Sequence, residues 1–362
     1  MHRLLVSIFA AAGLALSGAA AAADAPPWPV KEGDFAIRDF HFRSGETLPE
    51  LRIHYRTLGT PKYDAQHHVT NAIMVLHGTG GDGTTFLRPI FGGELFNAGQ
   101  PFDLSRYFVI LPDGIGHGKS SKPSDGLHAK FPHYTYDDMV EAQHRLAKDG
   151  LEVGKLRLIL GTSMGCMHAF VWGETYPADV EALAPFACLP VRIVGRNRLW
   201  RRMVIEAIKN DPTWQGGEYK QAPTAGLRTA SDLLSIAGSA PQQMQKALAT
   251  ADQVDETLAK RTDAELAKID ANDMIYQVDA SRDYDPSPGL NKVTPPVLWI
   301  NSADDFINPP ELGIAEAEAP HLPHGRFVLL PISEKTHGHG THTWAVAWKD
   351  ELVRFMAETE PK

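Results

Sequence analysis

The stretch LRLILGTSMGCMHAF, Leu156 to Phe170, constrains the chain more than any other. A short apolar run enters Gly161-Thr162-Ser163-Met164-Gly165, and a helix-like pattern leaves it. Gly-x-Ser-x-Gly arises often by chance, but between a strand and a helix it marks a sharp turn. Such a turn lifts the serine Oγ clear of a sheet, while its glycines let backbone and neighbouring strands approach closely. The helix that follows would aim its N-terminal amides at the site, where negative charge developing on a carbonyl oxygen is stabilised. Ser163 is therefore the candidate nucleophile.

The rest of the chain has to supply a sheet for this turn. Phe35, Ile37, Phe40 and Phe42, then Leu51, Ile53 and Tyr55, lie among charged residues on either side of Ser44-Gly45, which predicts a half-buried antiparallel hairpin. AIMVL (72–76), YFVIL (107–111), LRLIL (156–160), ALAPF (182–186), PVLWI (296–300) and RFVLL (326–330) are short apolar runs, the pattern of parallel strands buried on both faces. Helical patterns at 136–148, after Ser163 and at 343–356 alternate with them, so the expected class is α/β with right-handed crossovers. From 191 to 293 only helix-like segments occur, among them 199–209 and the charge-rich 255–269, which reads as a solvated helix face. The implied organisation is a first core part at 24–190, a helical lid insertion at 191–293 and a second core part at 294–362.

A serine hydroxyl needs a base, held in the right tautomer by a carboxylate. With the nucleophile on such a turn, the partners follow in the order acid, then histidine. PVLWINSADDFINPP offers Asp304 and Asp305 at a strand end, and KTHGHGTHTW offers His337, His339 and His342 after the last strand. One oxyanion donor is expected in the loop after MVLHG, at Thr79, and the other on Met164, the residue after the nucleophile. His77 and His168 read as loop or packing residues.

Two rival chemistries fit less well. The three C-terminal histidines have metal-like spacing, but a zinc hydrolase site of the corresponding kind needs an aspartate where Thr341 stands and further ligands downstream, where no histidine follows. In DGIGHGKSS, a phosphate loop would need glycine at Asp113, so this reads as a site-shaping loop. Neither a metal nor a cofactor is expected.

The chain opens with Arg3, an apolar run and small residues ending in an Ala-x-Ala pattern, which reads as a secretory leader (1–23) cleaved near Ala23. That run is too short and alanine-rich for a membrane span of about 20 residues. An exported protein, periplasmic or secreted and without stable membrane insertion, is expected. The formal charge of −9 gives no electrostatic reason for a nucleic-acid partner. Cys166 and Cys188 are the only cysteines, and their apolar surroundings suggest buried free thiols, although export would permit one bridge.

GTSMGCMHAF, YPADVEALAPFA and AIKNDPTWQGGEYKQAPTAGL together resemble the α/β-hydrolase superfamily, in its homoserine O-acetyltransferase-like branch, from about Leu51 to the C-terminus. The resemblance implies the α/β-hydrolase fold, a mostly parallel sheet with an antiparallel start and a helical lid. It also implies a covalent acyl-Ser163 intermediate. Asp305, which begins Asp-x-x-x-Pro, and His339, in Gly338-His339, would complete the triad. Branch members that acetylate homoserine from acetyl-CoA follow Gly-Leu-x-x-Ala with an arginine and, seven residues on, a tyrosine. Here those positions are Ser231 and Gly238, so the bidentate carboxylate clamp is lost. Arg196, Arg198, Arg201 and Arg202 offer substitute charge, though most arginines at a helix start would be solvated. The expected substrate is a small ester or other acyl donor, cleaved by hydrolysis; the alternative is O-acyl transfer to a different acceptor. The reading leaves room for a homodimer.

Overall fold

The computed structural model describes residues 26–360, and the leader expected at 1–23 lies outside the described residues. Strands β1 (Lys31–His41) and β2 (Thr47–Leu58) form the antiparallel hairpin, with Phe35 opposite Ile53. The apolar runs become β3 (Ala72–Leu76), β4 (Phe108–Pro112), β5 (Leu158–Thr162), β6 (Leu183–Phe186), β7 (Val297–Ser302) and β8 (Gly325–Leu330). They build one eight-stranded sheet in the order β1-β2-β4-β3-β5-β6-β7-β8, antiparallel up to the β2–β4 pair and parallel beyond it.

Alternation along each strand feeds two core layers. Met74, Leu76 and Ile159 face the layer that holds α2 (Tyr136–Arg145) and α3 (Met164–Thr175). Ile73, Val75, Leu158 and Leu160 face the other, built with α1 (Gly92–Leu95) and α11 (Lys349–Glu358). A short helix, α10 (Ile314–Glu318), lies between β7 and β8. No strand interrupts the interval from β6 to β7. It holds α4 (Gly195–Lys209), α5 (Thr224–Gly238), α6 (Pro241–Ala247), α7 (Ala251–Ala259), α8 (Asp263–Leu266) and α9 (Ala271–Asp279). Trp200, Val204, Ile205 and Ile208 give α4 a buried stripe at helical spacing, and that helix packs on α5 and α9. Among the described residues no helix is long and apolar enough to cross a membrane.

Helix limits shift from expectation, with α2 ending at Arg145 and α4 beginning at Gly195, and two differences are larger. The segment 255–269 is split, because Thr262 and Glu265 form a capping box that starts α8 afresh. The C-terminal helix begins at Lys349, not 343. Ahead of it, tertiary bonds hold short 3-10 turns: Ala345 donates its amide to Ile90 O at 3.1 Å, and Trp348 Nε1 donates to Thr341 O at 3.2 Å.

The cysteine expectation needs correcting. Cys166 on α3 and Cys188 just after β6 are joined as a disulfide, with Cα atoms 5.8 Å apart. Apolar surroundings were a poor guide because the pair is both buried and bridged. Closing a loop between residues 22 apart constrains the unfolded chain. The Cys166→Ala/Cys188→Ala double variant should therefore lose about 3 kcal/mol in denaturant unfolding. Unchanged stability would contradict a stabilising bridge.

Two buried histidines add an acid liability. His117 is pushed down to about 3, chiefly by burial and then by nearby His77. Burial likewise holds His168 well below the usual imidazole range. Both are neutral when folded and regain their ordinary basicity when unfolded, so the unfolded state binds more protons in mild acid and stability falls as pH falls. Calorimetric unfolding near about pH 5, in buffers of different ionisation enthalpy, should register net proton uptake. Stability that does not change with pH there would contradict this.

Candidate active site

At the C-terminal end of β5 the chain reverses into α3 through Ser163, whose φ of 54° and ψ of −109° lie in a region that residues with a Cβ rarely enter. Tight packing holds it there. The Ser163 amide donates to Phe186 O on β6 at 2.9 Å, and the Gly165 amide donates to His77 O at 3.0 Å. A Cβ on Gly161 would run into the Gly165 carbonyl, and one on Gly165 into the Leu76 carbonyl. The two motif glycines are thus required by close approach.

The turn delivers Ser163 Oγ to 2.7 Å from His339 Nε2. His339 Nδ1 lies 2.9 Å from Asp305 Oδ2. With Nδ1–H donating to the carboxylate, Nε2 is left with a lone pair to accept the serine proton. Asp305 follows β7 and is buried, and its Oδ1 accepts the Ile307 and Asn308 amides at 2.7 and 3.2 Å. Burial pushes its carboxyl up. The His339 imidazole and the Asn308 donors outweigh that and hold it below the usual carboxylate range. So arranged, the three groups can move a proton from the hydroxyl to the imidazole while the carboxylate stabilises the imidazolium formed.

The two adjacent aspartates have separate tasks. Asp305 meets His339, whereas Asp304 Oδ2 accepts the Gly338 amide at 3.0 Å and so anchors the histidine loop. Asn308 was missed in the sequence. Its Nδ2 bridges Asp305 Oδ2 at 2.9 Å and Ala187 O at 3.0 Å. The Asp-x-x-Asn spacing, typical of a side chain capping its own turn, was the available signal.

The three C-terminal histidines diverge. His337 stacks on Trp344 with ring centres 3.9 Å apart, and its amide donates to Thr341 Oγ1. His342 stands edge-on to His339 at 5.1 Å and is pushed down to about 3, by burial first and by His339 second. Among the described residues no three His, Cys, Asp or Glu side chains converge as a metal site.

Met164 opens α3, so its amide has no intrahelical acceptor. Thr79 follows Gly78, where an added Cβ would come within 3.2 Å of Ser163 Cβ. The loop carrying them is tied down from below. His77 Nδ1 donates to Gly78 O, and its Nε2 accepts the Gly114 amide, both at 2.9 Å. Asp113 Oδ1 accepts Arg56 Nη1 at 2.6 Å and the Gly83 amide at 2.8 Å, and its Oδ2 accepts the Lys119 amide at 2.9 Å. The glycine-rich loop from Asp113 to Ser121 thus braces the neighbouring loop, and only a 3-10 turn follows it.

A cavity of about 390 Å3 opens over Ser163 and His339 between the sheet edge and the start of α4, lined also by Ile193, Arg192, Arg196, Arg201 and Ile307. Ser231 and Gly238 lie on α5 and do not line it.

The comparisons agree with this architecture. A family model described as alpha/beta hydrolase fold matches residues 71–335. A probable acyltransferase of Methanothermobacter thermautotrophicus is 30% identical over 279 residues, 77% of this chain and 84% of its own. A homoserine O-acetyltransferase of Thermobifida fusca is 27% identical over 303 residues, 74% of this chain and 78% of its own. The structure of an acetylester hydrolase from Corynebacterium glutamicum superposes with a TM-score of 0.77 at 22% identity, covering 90% of this chain and 96% of that one. The chain belongs to the α/β-hydrolase family, in its homoserine O-acetyltransferase-like branch.

Proposed function

We propose that the protein is an exported serine esterase that cleaves a small carboxylic ester through an acyl-Ser163 intermediate. The observation that carries this is the continuous line from Ser163 Oγ through His339 to Asp305, at 2.7 and 2.9 Å. Ser163 Oγ attacks the ester carbonyl as His339 Nε2 takes its proton. The C–O bond to the alcohol then breaks, the alcohol leaves with that proton, and the acyl group stays on Oγ. Water gives a proton to Nε2 and attacks the acyl carbon; the acid departs and Oγ recovers its proton. The amides of Thr79 and Met164 would receive the oxyanion, helped by the N-terminus of α3.

Export is supported by the leader-like first 23 residues and by the Cys166–Cys188 bridge, a bond that persists in oxidising compartments. N-terminal sequencing of the protein purified from its native compartment should begin at Asp24, whereas a chain starting at Met1 would contradict export by cleavage. Export favours hydrolysis, since water is abundant there and an acyl-CoA supply is not expected.

Similarity to homoserine O-acetyltransferases favours a second reading, acyl transfer to an alcohol. It shares every step until the acceptor enters. The position that would carry the carboxylate-binding arginine is Ser231, which argues against homoserine. Incubation with p-nitrophenyl acetate, with and without homoserine and acetyl-CoA, separates the two. Free acetate should dominate, and faster formation of O-acetylhomoserine would reverse the ranking. In the same assay Ser163→Ala and His339→Ala should each lower turnover by about four orders of magnitude or more. Chelators should have no effect. Fluorophosphonate labelling that survives Ser163→Ala would overturn the choice of nucleophile.

A further inference from the structure

The wall of the cavity contains a positive charge with no counter-ion. Arg201 on α4 is only 3% exposed. Its Nε donates to Asn197 Oδ1 at 2.9 Å and its Nη1 to Ser281 Oγ at 3.2 Å, both neutral acceptors. The Trp200 ring lies 4.7 Å from the guanidinium, and the Tyr136 hydroxyl of α2 is beside it. Among the described residues no carboxylate comes within 4.0 Å of it; its direct hydrogen bonds run from Nε and Nη1, and the Tyr136 hydroxyl is its remaining polar neighbour.

Nearby arginines are provided for differently. Arg192 pairs with Asp285, Arg198 with Asp279 and Arg202 with Glu206. Arg196 donates to Phe306 O and lies over the Phe306 ring. Arg201 alone of these five is both buried and without an acidic or carbonyl partner. A guanidinium withdrawn from water among neutral dipoles is costly to hold, and Arg198 nearby adds repulsion. An anion entering the cavity, where Ser163 and His339 also sit, would complete the arrangement. A carboxylate matches the planar fork.

We infer that Arg201 is the specificity-determining residue of this cavity and receives a free carboxylate of the substrate ester through its Nη2 edge. The inference rests on the esterase reading of Ser163 and extends it to a substrate class: esters that carry a carboxylate. The carboxylate belongs either to the acyl half, as in a half-ester of a dicarboxylic acid, or to the alcohol half, as in an acylated hydroxy acid.

The test is a binding measurement on the Ser163→Ala protein, which does not depend on turnover. Calorimetry compares monomethyl glutarate with dimethyl glutarate for the acyl half, and 3-acetoxypropanoate with its methyl ester for the alcohol half. One carboxylate ligand should bind at least about tenfold more tightly than its neutral twin, as expected for a charge-assisted pair. Adding Arg201→Gln or, separately, Arg201→Met should bring that ratio close to one. The arm that shows the preference identifies which half carries the carboxylate. Neutral twins that bind as tightly in both arms would overturn the inference, as would a preference that survives both substitutions. Failure of the wild-type enzyme to turn over any ester would instead count against the Ser163 reading.

Discussion

At Ser163 the backbone passes from strand to helix at positive φ, in a sparsely populated region that costs a residue with a Cβ about 1–3 kcal/mol. The surroundings meet that cost, and most of the site follows from how they do it. Gly161 and Gly165 allow β5 and α3 to press against one another and against β3. The Phe186 carbonyl and the His77 carbonyl fix the turn from either side. The disulfide from Cys166 to Cys188 joins the first turn of α3 to the segment after β6 that lines the cavity. The hydroxyl is thereby held on rigid elements, where a small displacement would lengthen its 2.7 Å contact with His339.

Around this fixed point the loops are positioned by buried polar groups. The Asp113 carboxylate gathers Arg56, Gly83 and Lys119, and His77 links Gly78 to Gly114, so the segment carrying Thr79 is braced by the hairpin and by β4. On the opposite side Asp304 holds the Gly338 amide while Asp305 and Asn308 hold the ring of His339. Of the helices between β6 and β7, α4 contributes to the cavity wall, and with it Arg201.

Much of this was legible from residue pattern. The six apolar runs became strands shifted by no more than two residues, because a strand buried on both faces has little other than hydrophobic content to show. Ser163 was named from its turn; chain order offered Asp304 or Asp305 and three histidines, the family resemblance selected Asp305 and His339, and the structure brings these three into contact. What the pattern hid was set by contacts distant in sequence. The start of α11 depends on Ile90 and Thr341, the Cys166–Cys188 bridge on the approach of α3 to the end of β6, and the Arg56–Asp113 pair on the β2–β4 pairing. Among four neighbouring arginines at a helix start, nothing local distinguishes Arg201 from Arg202, although one is buried and the other exposed.

The central claim is that Ser163 carries the acyl group between two half-reactions. Rapid acid quench during turnover of p-nitrophenyl acetate, followed by peptide mass spectrometry, tests it most directly. The account predicts one added acetyl group on the peptide containing Ser163, which disappears once the ester is exhausted. Steady turnover with no acetylated peptide, or acetyl found only on another residue, would contradict it.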